Sequence, residues 1–298
     1  MSGAPISRTR AWILAARPKT LTAALAPVLA GTGLAAHHGV ASVGPAAAAL
    51  LGAALIQIGT NFANDYYDFV RGTDTGERVG PVRVTQAGIL RPEAVRNGMV
   101  VVLGLAVLVG VYLVAVGGWP VFAIGVASVA CAVLYTGGPY PLAYHGLGDV
   151  FVFVFFGLIA VGGTYWVQAL AWPPDALLVG VGLGALSTAI LVVNNLRDLP
   201  TDARAGKRTL AVRIGPVWSK VEFALLLVAA LAVPPVGVLL LGWPPAVFLA
   251  VLGLAASARP TKTVFTYGEP AELLPTLGQT ARVVALYGGL LAIGFAAG

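Results

Sequence analysis

Charge is scarce in this chain. Only 10% of its 298 residues are Asp, Glu, Lys or Arg, and 58% are hydrophobic, with a mean hydropathy of +0.88. A soluble domain carries about 25% charged residues, so this composition excludes one and identifies an integral membrane protein. Cysteine is nearly absent: the single Cys131 rules out a disulfide framework and a thiolate metal site, and reads as a small apolar residue inside a helix. Of the three histidines, His37 and His38 end an apolar run and read as solvated, and His145 reads as structural in a loop. The net charge of +6 calls for no nucleic-acid partner, because the placement of the basic residues accounts for it. The apolar stretch Ile13 to Ala30 is broken by Arg17 and Lys19 and is followed by many further spans. It is therefore expected to be a retained first helix rather than a signal peptide. The 38 glycines favour close helix packing.

An apolar window of about 20 residues finds nine spans. They run roughly 18–37, 45–69, 95–116, 119–136, 150–170, 176–198, 217–241, 243–258 and 280–297. With the N-terminus in the cytoplasm, all 18 Lys and Arg fall on the cytoplasmic side, and Asp175 is the sole acid outside. The expectation is an all-α, multi-pass bundle of nine transmembrane helices around a central cavity in the cell membrane. The N-terminus and the active face are cytoplasmic. A single transmembrane domain covers 1–298, with four-helix halves at about 10–140 and 145–258 and a ninth helix at 280–297.

The chemistry gathers at two helix ends. After the second apolar run, Asn61 to Asp74 contains three aspartates and two asparagines, with Asn61, Asp65 and Asp68 at helical spacing i, i+4 and i+7. After the sixth, Asn194 to Asp202 repeats the manner. Carboxylates oppose the helix dipole at a C-terminus, and an acid near hydrocarbon costs up to about 2.5–3.5 kcal/mol. Two clusters breaking the same rule imply a compensating cation. Salt bridges to Arg71, Arg78 or Arg197 are one alternative, which leaves the asparagines and the duplication unexplained. An all-oxygen donor set without His or Cys suits Mg²⁺, which binds through one or two carboxylates plus phosphate oxygens. Arg78, Arg83, Lys207 and Arg208 follow the clusters closely and suit phosphate oxygens, describing a receptor for a diphosphate. Arg8, Arg10, Arg91 and Arg96 read as topology determinants. Pro200 is expected to interrupt the helix between Asp198 and Asp202. The aromatics at Phe151, Phe153, Phe155, Phe156, Tyr165 and Trp166 read mostly as core or lipid-facing.

Asn64 to Gly88, NDYYDFVRGTDTGERVGPVRVTQAG, resembles the first aspartate-rich motif of the UbiA superfamily of intramembrane aromatic prenyltransferases. The step from Asp68 to Asp74 and the GPVR-x-TQ that follows are similar to its menaquinone branch, the 1,4-dihydroxy-2-naphthoate polyprenyltransferases. Asn194 to Gly215 resembles that branch's second motif. Arg17-Pro18-Lys19-Thr20-Leu21, and Tyr135 to Pro139 through Gly148-Asp149, are also similar, with Asp149 where Glu is common. The resemblance spans nearly the whole chain.

The resemblance implies Mg²⁺ ions holding a polyprenyl diphosphate, and transfer of its chain to 1,4-dihydroxy-2-naphthoate with decarboxylation, giving demethylmenaquinone. On this reading Asn64, Asp65, Asp68, Asp74, Asn194, Asp198 and Asp202 hold metal. Asp65, Asp68, Asp198 and Asp202 are the catalytic acids. Asn64, Arg78, Arg83, Tyr135, Asn194, Asn195, Lys207 and Arg208 bind substrate. Within the same class, homogentisate or 4-hydroxybenzoate are alternative acceptors. A transporter is the reading from another class, but it would hold its ion site near the bilayer midplane rather than at one face.

Overall fold

In this computed structural model the described residues are 6–73, 79–80 and 82–298. They form an all-helical membrane bundle, with no β-strand among them. Helix α1 (Arg8–Ala16) is capped by Ser7, whose hydroxyl accepts from the Arg10 amide, and it ends at Arg17 in the left-handed region (φ 49°). The reversal starts a single 3₁₀ turn, Pro18–Thr20, where proline's fixed φ suits the first position. Then follow α2 (Leu21–His37), α3 (Val43–Val70), α4 (Pro92–Gly117) and α5 (Trp119–Leu134). A loop with one 3₁₀ turn (Leu142–His145) leads to α6 (Gly148–Phe153), a π-helical turn (Val154–Ile159) and α7 (Ala160–Ala169). Next come α8 (Pro174–Arg204), α9 (Leu210–Leu241), α10 (Leu249–Ala255), α11 (Ala258–Thr266) and α12 (Leu273–Ala297).

Among the described residues, seven helical stretches are long and apolar enough to cross a membrane: Arg8–His37, Val43–Val70, Pro92–Gly117, Gly148–Ala169, Pro174–Arg204, Leu210–Leu241 and Pro270–Ala297. Two shorter apolar helices, Trp119–Leu134 and Pro245–Ala255, lie where the fourth and eighth spans were expected. The ninth helix begins earlier than its expected start at 280. Its first turns carry Thr276 and Thr280, fully buried, and their hydroxyls bond to the Glu272 and Thr276 carbonyls. Such residues lower hydropathy without breaking a helix. The proline-flanked eighth segment is shortened, and the separate α11 follows it.

The core is organised on α8. Its most apolar stretch is 72% buried, against 17% for α4 and 22% for α3 and α9, which turn large apolar side chains outward as a lipid-facing wall does. Helix α8 packs against α2, α6, the π-helical turn, α9 and α12. Close approach to the π-helical turn requires glycine: a Cβ on Gly157 would fall 2.4 Å from the Gly180 carbonyl oxygen, and one on Gly184 2.6 Å from that of Phe153.

Pro200 does not interrupt α8. The helix passes through it to Arg204, and the Thr201 hydroxyl takes up the Asp198 carbonyl at 2.8 Å. Asp198 and Asp202 therefore share a face at i, i+4.

Candidate active site

Helices α3 and α8 both pack on α2 and line one cavity of about 650 Å³. Gln57, Asn61, Asn64 and Asp68 follow one another on α3 at steps of four, three and four residues, and all line it. Ser187, Leu191, Asn194 and Asp198 do the same on α8 at the same steps, and Asp202 continues that stripe. A helix turning 100° per residue keeps such positions on one face.

Asp68 is heavily used. It is 2% exposed and accepts from Arg83 Nη2 at 3.1 Å, Lys207 Nζ at 3.1 Å and the Tyr144 hydroxyl at 2.8 Å. Tyr144 lies in the loop before α6, with Lys207 Nζ 4.7 Å from its ring centroid and the Arg71 guanidinium at 5.5 Å. Burial, and then the Asp68 charge, hold its phenol above the usual range, so it serves as a neutral donor. Arg71 also donates to the Gly138 carbonyl. Asn64 is oriented by Thr136, whose hydroxyl donates to its Oδ1 at 2.9 Å.

On α8, the buried Arg197 grips Asp198 through two bonds, Nε to Oδ1 at 2.7 Å and Nη2 to Oδ2 at 2.6 Å. The same Nη2 donates to Asn194 Oδ1 at 2.8 Å, and Nη1 has no hydrogen-bond partner among the described residues. Asn195 is also buried and lines the cavity. Ion pairing, the alternative weighed from sequence, is thus present at both clusters, with Arg83, Lys207 and Arg197 as partners.

The expected residues divide. Asn64, Asp68, Arg83, Tyr135, Asn194, Asn195, Asp198, Asp202 and Lys207 line the cavity together. Asp65 does not: it is 1% exposed, and its Oδ2 accepts from the Val84 amide at 3.2 Å, tying the loop before α4 to α3. Its place 100° round the helix from Asn64 turns it off the cavity stripe. Arg208 is exposed and outside the lining; its amide donates to the Tyr144 carbonyl at 3.0 Å. Asp74 and Arg78 lie outside the described residues. Asp149 is buried and outside the lining, with neither carboxylate oxygen hydrogen-bonded among the described residues.

Sequence reasoning missed several lining residues. Arg17 and Lys19 come from the turn between α1 and α2; their signals were the break they make in an apolar run and the family resemblance of Arg17 to Leu21. Tyr144 was visible as a tyrosine in a loop without Lys or Arg. Gln57 lies one turn before the motif, and Ser187 carried no signal. Phe151, Phe155 and Phe156 line the cavity, the first two stacked with centroids 5.9 Å apart.

Among the described residues no three His, Cys, Asp or Glu side chains gather as a metal site. The donor set is nonetheless all oxygen on both helices, as Mg²⁺ prefers when phosphate oxygens and water complete its shell.

The chain matches the model of the UbiA prenyltransferase family over residues 24–272. It is 41% identical over 290 residues to the 1,4-dihydroxy-2-naphthoate octaprenyltransferase of Mycobacterium tuberculosis, covering 95% of this chain and 97% of that protein. It is 35% identical over 305 residues to the Escherichia coli protein of the same name, covering 99% and 97%. The solved structure of a UbiA homolog from Archaeoglobus fulgidus, bound to GPP and Mg²⁺, shares its fold. That likeness has a TM-score of 0.72 at 16% identity, over 97% of this chain and 100% of the other.

Proposed function

Because this chain belongs to the UbiA prenyltransferase family, we propose that it transfers a polyprenyl chain from its diphosphate to 1,4-dihydroxy-2-naphthoate in menaquinone biosynthesis. The relatives from Mycobacterium tuberculosis and Escherichia coli carry that activity in their names. The observation that carries the reading to a site is the paired Asn-Asp stripe of α3 and α8 lining one cavity. In the reaction the allylic carbon–oxygen bond breaks, and its electron pair leaves with diphosphate. The allylic carbon bonds to the ring carbon that bore the carboxylate. That carboxylate departs as CO₂, returning its bonding pair to the ring, so the net reaction removes no ring proton.

Asn64, Asp68, Asn194, Asp198 and Asp202 would hold Mg²⁺, with Asp74 as a further ligand from the same motif. When bound, Mg²⁺ neutralises the diphosphate and favours its departure. Arg83, Lys207 and Arg197 already point cationic groups into the cavity and can turn from carboxylate to phosphate oxygens. Tyr144 adds a neutral donor beside Asp68, and Tyr135 lines the same wall. Arg17 and Lys19 supply positive charge for an anionic acceptor. The faces of Phe151, Phe155 and Phe156 shield the allylic cation and exclude water from it. Asp65 acts through Val84, holding Arg83 in place, and Arg208 acts through the Tyr144 backbone. In the membrane the reading has nine crossings in two four-helix halves plus a ninth helix, with the N-terminus and the acidic helix ends facing the cytoplasm.

The test is purified protein with Mg²⁺, a prenyl diphosphate and each acceptor in turn, with products read by mass spectrometry. Dihydroxynaphthoate should gain one prenyl group and lose CO₂. Product from homogentisate or 4-hydroxybenzoate, and none from dihydroxynaphthoate, would overturn the assignment.

A further inference from the structure

The cavity holds two buried neutral groups that nothing above employs. Gln57 is 8% exposed and Ser187 is 3% exposed; both line the cavity, and neither Gln57 Oε1 nor Ser187 Oγ has a hydrogen-bond partner among the described residues. They occupy equivalent places: each stands eleven residues before its helix's cavity-lining aspartate, Asp68 on α3 and Asp198 on α8. At 1.5 Å per residue that is about 16 Å along the helix from the acid. Such an interval accommodates, in order, a diphosphate, the allylic carbon and an aromatic ring.

The orientation of the Gln57 amide follows from its neighbours. Asn61 Nδ2 donates to the Ala16 carbonyl at 2.9 Å, which identifies that atom as nitrogen, and it donates also to Thr20 Oγ1 at 2.9 Å. Thr20 spends its single proton on the Arg17 carbonyl at 2.9 Å. Thr20 Oγ1 can therefore only accept from Gln57, and Gln57 Nε2 meets it at 3.1 Å. The carbonyl oxygen of Gln57 is thus the atom left over: a buried acceptor with no donor, which costs free energy until a ligand supplies one. Ser187, a hydroxyl, can give a proton as well as take one.

We propose that Gln57 and Ser187 hold the two ring hydroxyls of the aromatic acceptor, setting the ring across the cavity beyond the diphosphate. This rests on the acceptor proposed above. In 1,4-dihydroxy-2-naphthoate the hydroxyls point in opposite directions from one ring. The 4-hydroxyl has no internal acceptor and donates to Gln57 Oε1. The 1-hydroxyl donates to its neighbouring carboxylate, so its oxygen accepts from Ser187. The pair would thereby select a para-dihydroxy ring.

The test compares three ligands as competitors or substrates of the full-length protein: the dihydroxy acid, 1-hydroxy-2-naphthoate and 4-hydroxy-2-naphthoate. For the wild type, each mono-hydroxy acid should bind roughly 10- to 100-fold more weakly than the dihydroxy acid, the range for a buried group left unpaired. Gln57→Leu should bind the dihydroxy acid as weakly as 1-hydroxy-2-naphthoate, showing no further loss when the 4-hydroxyl is removed. Ser187→Ala should be indifferent in the same way to the 1-hydroxyl. In both variants the KM for prenyl diphosphate should stay within about twofold of wild type. Equal wild-type affinity for all three acids would refute the proposal without any variant. A variant that weakens all three acids by one common factor would refute it for that residue. If the wild type does not prenylate dihydroxynaphthoate at all, the proposed function fails first, and the inference falls with it.

Discussion

Replacing Asp68 with Asn is the most informative single change, because stability and turnover should respond for different reasons. The side chain is 3% exposed and is paired at 3.1 Å with both Arg83 and Lys207, themselves 9% and 13% exposed. A hydrogen bond to a charged group contributes about 1.5–3 kcal/mol, and removing one partner of a buried ion pair costs about 3–5 kcal/mol. Asn keeps the size and one acceptor oxygen, so Tyr144 and one cation remain bonded. The expected net loss is therefore about 2–4 kcal/mol, mostly from removing the negative charge that Arg83 and Lys207 share. Thermal unfolding of purified protein, followed by tryptophan fluorescence, should show a lower midpoint for the variant. Inorganic pyrophosphate should narrow the gap, since it supplies Arg83 and Lys207 with the missing negative charge. Turnover, measured as diphosphate release at saturating Mg²⁺ and equal protein, should fall about 10²–10³-fold, as losses of a charge-stabilising group commonly do. Near-native turnover would remove Asp68 as a ligand. An unchanged midpoint would show that the two ion pairs contribute nothing to the fold.

EDTA should abolish turnover, and Mg²⁺ alone should shift the unfolding midpoint little, whereas Mg²⁺ with prenyl diphosphate should raise it clearly. Lys207→Ala should lower turnover by about 10²-fold, since Lys207 reaches Asp68. Arg208→Ala, at an exposed side chain outside the cavity, should stay within about threefold in the same assay. Gly184→Val should destabilise the fold by about 1–3 kcal/mol or more, read as a lower unfolding midpoint, because its Cβ would lie 2.6 Å from the Phe153 carbonyl oxygen. A cysteine replacing Val82, 55% exposed, should be labelled from the cytoplasm, and one replacing Trp119, 78% exposed, from outside. The reverse labelling would invert the proposed orientation.

The bundle and its acidic ends were legible because they contrast chemically with everything around them. Carboxylates and amides at the ends of apolar helices have few physical explanations, so Asn64, Asp68, Asn194 and Asp198 stood out. Rotational phase was harder. Asp65 and Asp68 share a motif, yet the face that meets the cavity runs through Gln57, Asn61 and Asn64, and Asp65 falls beside it. Which face meets the cavity depends on how α3 packs against α1, α2 and α4, and one helix alone does not contain that information. The loop pair Lys207 and Arg208 poses the same difficulty without even a period to consult. Pro200 misled for a different reason: it stands one turn before the end of α8, where its missing N–H removes only the bond to the Leu196 carbonyl and few others remain to lose.

The charges lining the cavity also constrain the order in which it fills. Among the described residues, Asp68, Asp198 and Asp202 contribute carboxylates there, and Arg17, Lys19, Arg83, Arg197 and Lys207 contribute cations. The cations outnumber the acids, and Asp68 and Asp198 are already bonded to them. A bare divalent cation entering such a site meets occupied carboxylates and repulsion from the surplus positive charge. A diphosphate meets the opposite: Lys207 and Arg83 can turn to its oxygens, and in doing so they uncover Asp68. Arg197 can likewise offer Nη1, which has no partner among the described residues, before it gives up either bond to Asp198. On the proposed function, the contacts made by Lys207 and Arg83 would release Asp68 oxygens for metal, so diphosphate and Mg²⁺ would bind with positive coupling. On that reading, the ion pairs that look like a rival to metal binding would hold the buried acids in place until the anion arrives.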